Sequence, residues 1–206
     1  MDKCVIIGAG EIRDYDRIKR LINDGDTIVC ADGGYVHAEK MNLNVNCVIG
    51  DFDSSLKPDD ENTVVLPVEK DVTDTFFCAR EYMKKGYTDF LLLGMSGGRF
   101  DHTYANLQTL YYLVMNGCHA VIFDEKNKIY ALKDNEMIVK YSGYDNISFF
   151  ALFEEVGNLE IKNAKYQLNG YDLKADDPLC VSNGFVDKQD IIVKKKSGVL
   201  LVVESE

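Results

Sequence analysis

The fold is decided by the stretch Phe90-Leu91-Leu92-Leu93-Gly94-Met95-Ser96-Gly97-Gly98-Arg99-Phe100-Asp101-His102. An apolar run stops at a glycine, two more glycines and an arginine follow, and a helical pattern then covers His102–Asn116. Four apolar residues in a row, without in-and-out alternation, suit a strand covered on both faces. Glycine-rich chain ahead of a helix presents main-chain N–H groups to an anion, and Arg99 can hold a phosphate through two donors. A strand feeding a helix through such a turn is the repeating unit of an open, mainly parallel α/β sheet.

The same unit recurs on either side. Strands are expected at Cys4–Ile7, Thr27–Ala31, Val45–Ile49, Val64–Val68 and Ala120–Phe123, with helices at Tyr15–Asn23, Tyr35–Met41 and Val72–Lys85. In the last of these, Val72, Phe76, Ala79 and Met83 stand at helical spacing and Gly86 is the stop. Beyond about Lys126 the helical pattern gives way to short β-rich runs at Lys128–Leu132, Met137–Val139, Ile147–Leu152, Leu159–Ile161, Ile191–Val193 and Val199–Val203. Asp134-Asn135, Ser142-Gly143, Asn169-Gly170, Asn183-Gly184 and Ser197-Gly198 read as turns between them. The expected fold is thus α/β: residues 1–125 form an open parallel sheet with flanking helices. Residues 126–206 form an all-β sandwich of jelly-roll type.

In open α/β sheets ligands bind beyond the C-terminal ends of the strands, and the distinctive residues stand there. Asp32-Gly33-Gly34 closes the second strand. Gly50-Asp51-Phe52-Asp53-Ser54-Ser55 closes the third, with two carboxylates that share a side in extended chain and suit a hard cation such as Mg²⁺. An acidic turn capped by Ser54 accounts for the same residues. Lys70-Asp71-Val72-Thr73-Asp74 opens a helix, with Asp71 as N-cap and Asp74 at the third helical position. Lys70 could also meet a phosphate in the same crevice. His102 reads as a first-turn helix residue as readily as a catalyst. Gly8-Ala9-Gly10 lacks the third glycine of a dinucleotide fingerprint, because Arg13 stands there, and no P-loop motif occurs. Taken together, four strand ends with carboxylates, glycines and an arginine describe a site for Mg²⁺ and a polyphosphate.

Composition narrows the partners. With 23 Lys+Arg against 34 Asp+Glu, the formal net charge is −11, which gives no general attraction to nucleic acid or anionic lipid. No segment has the roughly 18 uninterrupted apolar residues of a membrane span. The N-terminal apolar run is too short for a signal peptide and reads as the first strand. The 6 cysteines are scattered through apolar runs with no C-x-x-C pair, as buried thiols of a reducing, cytoplasmic compartment would be.

This set of motifs resembles the thiamine pyrophosphokinase family. The resemblance runs through Asp32-Gly33-Gly34, Gly50-Asp51-Phe52-Asp53-Ser54, Lys70-Asp71-x-Thr73-Asp74 and Gly97-Gly98-Arg99-x-Asp101-His102, and reaches Ser182-Asn183-Gly184. It implies pyrophosphoryl transfer from ATP to the thiamine hydroxyl, giving thiamine pyrophosphate and AMP. It implies an α/β ATP-binding domain, a β-sandwich thiamine-binding domain, and sites formed across a homodimer. On this resemblance Asp51, Asp53 and Asp74 hold Mg²⁺, Arg99 steadies the migrating group, and Asp101 orients the site or accepts a proton. Asp32, Gly33, Gly34, Lys70, Asp71, Thr73, Gly97, Gly98 and His102 line the nucleotide side, and Ser182 and Asn183 contact thiamine. Some members stack an aromatic residue on thiamine near 170–173; with 0 Trp here, Tyr171 or Tyr166 would take that place. A metal-dependent phosphohydrolase using water as acceptor, and a non-catalytic nucleotide or thiamine sensor, are the competing readings.

Overall fold

The computed structural model describes residues 2–50, 63–65 and 71–206, and the chain divides into two compact units, Met1–Glu125 and Lys126–Glu206. The first unit runs β1 (Cys4–Ile7), α1 (Tyr15–Lys19), β2 (Thr27–Ala31), α2 (Gly34–Lys40), β3 (Cys47–Gly50), β4 (Thr63–Val65), α3 (Asp74–Lys84), β5 (Asp89–Leu93), α4 (Phe100–Met115) and β6 (His119–Phe123). Its described strands lie in the order β6-β5-β1-β2-β3-β4, every neighbouring pair parallel. The chain starts in the middle, steps outward to β4, then returns to the other side of β1 as β5. The order therefore reverses between β1 and β5, whose ends are level because Ile7 pairs with Leu93. A crevice at such a reversal is where open α/β sheets bind ligands.

Burial on both faces explains the unbroken apolar runs. All four residues of β1 and Phe90–Leu93 of β5 are buried. On one face Val5, Ile7, Ile18, Ile28, Cys30, Ala38, Met41, Val48, Leu91 and Leu93 form one core cluster. Helix α3 buries Thr75, Cys78, Ala79 and Tyr82, the i, i+3, i+4, i+7 stripe of a helix lying on a sheet. It ends as the Gly86 stop anticipates: the Gly86 amide donates to the Met83 carbonyl (3.0 Å) and the Tyr87 amide to Tyr82 (3.2 Å).

Two helix boundaries differ from expectation. The N-cap of α3 is Thr73, whose hydroxyl accepts from the Phe76 amide (3.3 Å), so Asp74 is the first helical residue and Asp71 stands outside. Helix α1 ends at Lys19 instead of Asn23, because Asp26 draws the following chain away. Its carboxylate accepts from the Asn23 amide (2.8 Å) and the Lys3 amide (3.2 Å), and pairs with the Lys3 ammonium (3.1 Å).

The second unit is an antiparallel sandwich. It comprises β7 (Asn127–Leu132), β8 (Glu136–Val139), β9 (Asn146–Ala151), β10 (Val156–Lys162), β11 (Leu168–Leu173), β12 (Asn183–Gly184), β13 (Ile191–Lys194) and β14 (Leu200–Ser205). The strands β12-β9-β14-β7 run side by side, as do β11-β10-β13-β8. Ile147, Phe149, Leu159, Ile161, Ile191, Leu200 and Val202 are fully buried and form its core. Asn169-Gly170, read from sequence as a turn, lies inside β11. Leu168 pairs with Ile161 and Tyr171 with Leu159, so one extra residue is accommodated there as a bulge, with Gly170 at φ +71°. Asn183-Gly184 likewise pairs with β9, through Ile147 and Asn146.

At the β1–β5 reversal the two exiting loops touch backbone to backbone. The Gly8 amide donates to the Leu93 carbonyl (2.8 Å) and the Gly10 amide to the Gly94 carbonyl (2.9 Å). Gly94 has φ +63°, and a Cβ there would lie 2.5 Å from the Gly8 carbonyl oxygen. Strain from the positive φ and a clash with immovable backbone both oppose a side chain. Gly94→Ala is therefore expected to lower unfolding free energy by at least about 2 kcal/mol, read by denaturant titration. An unchanged midpoint would show that the two loops are not held this closely.

Candidate active site

Beyond the strand ends at the β1–β5 reversal lies a cavity of about 570 Å³. Gly8, Ala9, Gly10 and Glu11 form one wall, and Gly94, Met95, Gly97, Gly98 and Arg99 another. Asp32 after β2, Thr75 of α3, and His102 and Asn106 of α4 complete it. That volume lies within the range of small-molecule and cofactor sites.

Side chains fix both walls. Asn106, buried at 8% exposure, donates through Nδ2 to the Met95 carbonyl (2.8 Å). The Ser96 hydroxyl donates to Asp124 Oδ2 (2.5 Å). One oxygen of Glu125 accepts from the amides of both Arg13 (2.5 Å) and Asp14 (3.0 Å). Gly97 and Gly98 both take positive φ, and α4 then begins at Phe100 with no side-chain cap. First-turn amides and the helix dipole face the end where Arg99 stands, an arrangement that favours an anion.

Arg99 is held by Asp101. Nε lies 3.2 Å from Oδ1 and Nη2 2.6 Å from Oδ2, with both side chains largely exposed. The hydrogen bond with Arg99 holds the Asp101 carboxyl below the usual carboxylate range, which makes it a weak proton acceptor near neutral pH. Its two hydrogen bonds tether the guanidinium. Glu11, on the opposite wall, is likewise kept ionised by its bond to Arg13 (2.7 Å).

The lining residues therefore include two carboxylates, Glu11 and Asp32, against one guanidinium. A polyphosphate would be repelled unless a cation came with it. The acidic residues available are all hard oxygen donors, which fits Mg²⁺ better than a softer metal. Asp74, half-buried, stands at the N-terminus of α3. Asp51, Asp53 and Lys70 lie outside the described residues, and among the described ones no three His, Cys, Asp or Glu side chains gather as a metal cluster.

Of the expected nucleotide residues, Asp32, Gly97, Gly98, Arg99 and His102 line the cavity together. Gly33 and Gly34 instead begin α2, where Gly34 packs on the Ile7 carbonyl. Thr73 is a cap, Asp71 is exposed, and neither they nor Asp74 and Asp101 are lining residues. Sequence reading set Gly8-Ala9-Gly10 aside as an incomplete dinucleotide fingerprint and did not single out Glu11, Thr75, Met95 or Asn106. Gly8-Ala9-Gly10 was discoverable, since a glycine pair after the central strand needs no third glycine to form a wall. Asn106 gives no sequence signal, being one amide on a helix face.

In the second unit, Tyr166, Gln167, Leu168, Leu179, Cys180, Val181 and Asn183 line a cavity of about 240 Å³. Asn183, at 4% exposure, accepts from the Tyr166 amide (2.8 Å) and donates to its carbonyl (2.6 Å). The amide side chain thus holds the main chain of Tyr166, a residue that is itself 58% exposed. Ser182, at φ +57°, donates its amide to Ser148 Oγ (3.0 Å). Tyr171 lies outside the cavity lining and donates its hydroxyl to Asp177 (2.6 Å). The cysteines are all free, and burial pushes the Cys30 thiol up to about 12.

The family model of the thiamin pyrophosphokinase catalytic domain matches residues 18–122, and that of the thiamin pyrophosphokinase vitamin B1 binding domain matches 135–200. The chain belongs to the thiamin pyrophosphokinase family. Membership makes it an enzyme of that class. It is 27% identical over 190 residues to thiamine pyrophosphokinase of Bacillus subtilis, covering 88% of this chain and 85% of that protein. The crystal structure of the thiamine pyrophosphokinase from Bacillus subtilis superposes with a TM-score of 0.88 at 21% identity, over 99% of each chain. Yeast thiamin pyrophosphokinase gives 0.78 at 18% identity, over 100% of this chain and 87% of that one. The thiamin pyrophosphokinase fold is therefore shared across both units, and the two family matches fall one in each unit. Among the described residues no helix is long and apolar enough to cross a membrane.

Proposed function

We propose that this chain transfers the terminal pyrophosphoryl group of ATP to the hydroxyl of thiamine, in a Mg²⁺-dependent reaction that releases AMP. The observation that carries this reading is the cavity at the β1–β5 reversal, walled by Gly97-Gly98-Arg99 and the start of α4, in a member of this family. In this reading the triphosphate lies along the Gly97–Arg99 turn, with the α4 N-terminus behind it. Arg99 turns from Asp101 to the phosphates, exchanging one bidentate anion for another. The thiamine hydroxyl attacks the β-phosphorus, the bond from that phosphorus to the α,β-bridging oxygen breaks, and the hydroxyl proton is released. Positioning and electrostatics supply the acceleration, with no covalent enzyme intermediate.

Asp51, Asp53 and Asp74 would hold the Mg²⁺. When bound, the ion neutralises phosphate charge that Glu11 and Asp32 would otherwise repel. Asp32 and His102 contact the nucleotide from the cavity walls, while Gly33 and Gly34 set the path of the chain beside it. Thr73 caps α3 with Asp71 just ahead of it, and Lys70 is assigned to a phosphate of the nucleotide.

Thiamine is assigned to the second unit. Tyr166 is the better stacking residue, because it lines the 240 Å³ cavity and is itself exposed, whereas Tyr171 is engaged by Asp177. Asn183, which also holds Tyr166, and Ser182 are assigned to contact thiamine. An acidic chain suits the thiazolium cation. The exposed Tyr166, Leu179 and Val181 also suit burial in a homodimer, and the free buried cysteines suit the cytoplasm.

The deciding experiment incubates the protein with ATP and Mg²⁺, with and without thiamine, and separates AMP from ADP. AMP rising in step with thiamine pyrophosphate, only when thiamine is present, is the expected outcome. ADP or phosphate formed without thiamine would make the protein a phosphohydrolase, and binding without turnover would make it a sensor. Within the transferase reading, Tyr166→Ala should raise the thiamine KM by about tenfold and leave the ATP KM unchanged, consistent with the loss of one aromatic stack. A larger effect from Tyr171→Ala would reverse the assignment.

A further inference from the structure

One wall of the nucleotide cavity is held by a side chain that lies outside the cavity. His37, on α2, places Nε2 2.8 Å from the carbonyl oxygen of Gly10 and Nδ1 2.8 Å from the hydroxyl of Tyr15. A carbonyl only accepts, so Nε2 carries the hydrogen; in the neutral ring Nδ1 then accepts from the Tyr15 hydroxyl. The two rings also lie against each other, 5.8 Å between centroids, and the Lys40 ammonium sits 5.4 Å from the centre of the Tyr15 ring. Burial outweighs the bond to Gly10 and lowers the imidazole pKa below its usual value, so the neutral ring is the form present at neutral pH.

Gly10 is the point where this bond has leverage. Its amide donates to the Gly94 carbonyl (2.9 Å), and a Cβ on it would lie 2.5 Å from that oxygen and 2.6 Å from the Ser96 carbonyl. Gly10 is thus seated between two carbonyls of the facing wall while its own carbonyl is pulled toward α2. Gly10 lines the cavity; His37 does not. Gly10 and Tyr15 also precede the stretch matched by the catalytic-domain family.

We propose that His37 is a positioning residue for the nucleotide: its bond to the Gly10 carbonyl, oriented by Tyr15, sets the Gly8–Glu11 wall against the Gly94–Arg99 wall. The inference rests on the reading of this cavity as the ATP site. Without the bond, Gly10 retains its amide contact but loses the restraint on its other side, and the wall shifts within the space the triphosphate needs. The chemistry itself does not pass through the imidazole.

The test compares His37→Leu with His37→Gln, since a glutamine amide can replace the Nε2–H donor and leucine cannot. His37→Leu should raise the ATP KM by about five- to tenfold, the scale of one lost hydrogen bond. The thiamine KM should stay unchanged and His37→Gln should return the ATP KM to within about twofold of the original. In hydrogen exchange, residues 8–14 should lose protection in the leucine variant and keep it in the glutamine variant. A purely structural role would lower the active fraction, and hence kcat, with the ATP KM unmoved; that result overturns the proposal, as does equal behaviour of the two variants. Adding ATP and Mg²⁺ to the unaltered protein separates the two levels. If they fail to protect residues 8–14 and 94–99, the cavity is not the nucleotide site and both readings fall. Protection there with an unmoved KM in His37→Leu removes the role of His37 alone.

Discussion

The Gly10 amide meets the Gly94 carbonyl at 2.9 Å, and the Gly8 amide meets Leu93 at 2.8 Å, where the strand order of the first unit reverses. These contacts are possible only because neither loop carries a side chain at the crossing. They bring the exits of β1 and β5 together and leave a cavity on the open side. Larger residues at Gly94 would push the loops apart and dissolve the site without altering any of its polar groups. The site is therefore a consequence of backbone packing first and of side-chain chemistry second.

Around that crossing, each wall is fastened by a polar side chain from a neighbouring element. Asn106 holds Met95, Asp124 holds Ser96, Glu125 holds Arg13 and Asp14, and His37 holds Gly10. Loops so pinned keep amides and glycines aimed at one place, the kind of preorganisation that phosphoryl transfer depends on. Glu11 and Asp32 line the same cavity as Arg99, so a polyphosphate there would be repelled unless a cation came with it. The Asp101 tether keeps Arg99 extended near the turn in the meantime.

Much of this was legible from residues alone. The apolar runs of β1, β2 and β5, the glycine turn at 94–98 and the loss of helical pattern after Lys126 are local signals. Burial on both faces of a parallel sheet writes them directly into composition. Where sequence reading went astray, the cause was tertiary. Asn169-Gly170 carries the chemistry of a hairpin turn, yet the pairing of β11 with β10 uses it as a bulge. Helix α1 was cut short by Asp26, whose pull depends on Lys3 across the fold. Asn183, expected from the family resemblance to meet thiamine, also bonds the Tyr166 main chain with both ends of its amide, a pairing no local pattern announces. His37 and Asn106 gave no signal because each donates to a loop carbonyl, an acceptor that any residue type supplies.

A crystal structure with Mg²⁺ and α,β-methylene-ATP, in which the bond to be cleaved is blocked, would show whether the triphosphate lies between the Gly8–Glu11 and Gly97–Arg99 walls. Phosphates are expected against the Gly97–Arg99 turn, with Arg99 rotated from Asp101 onto them and the metal on aspartate oxygens. Nucleotide bound elsewhere on the chain, with the Arg99–Asp101 pair intact and the cavity at the β1–β5 reversal empty, would contradict this placement.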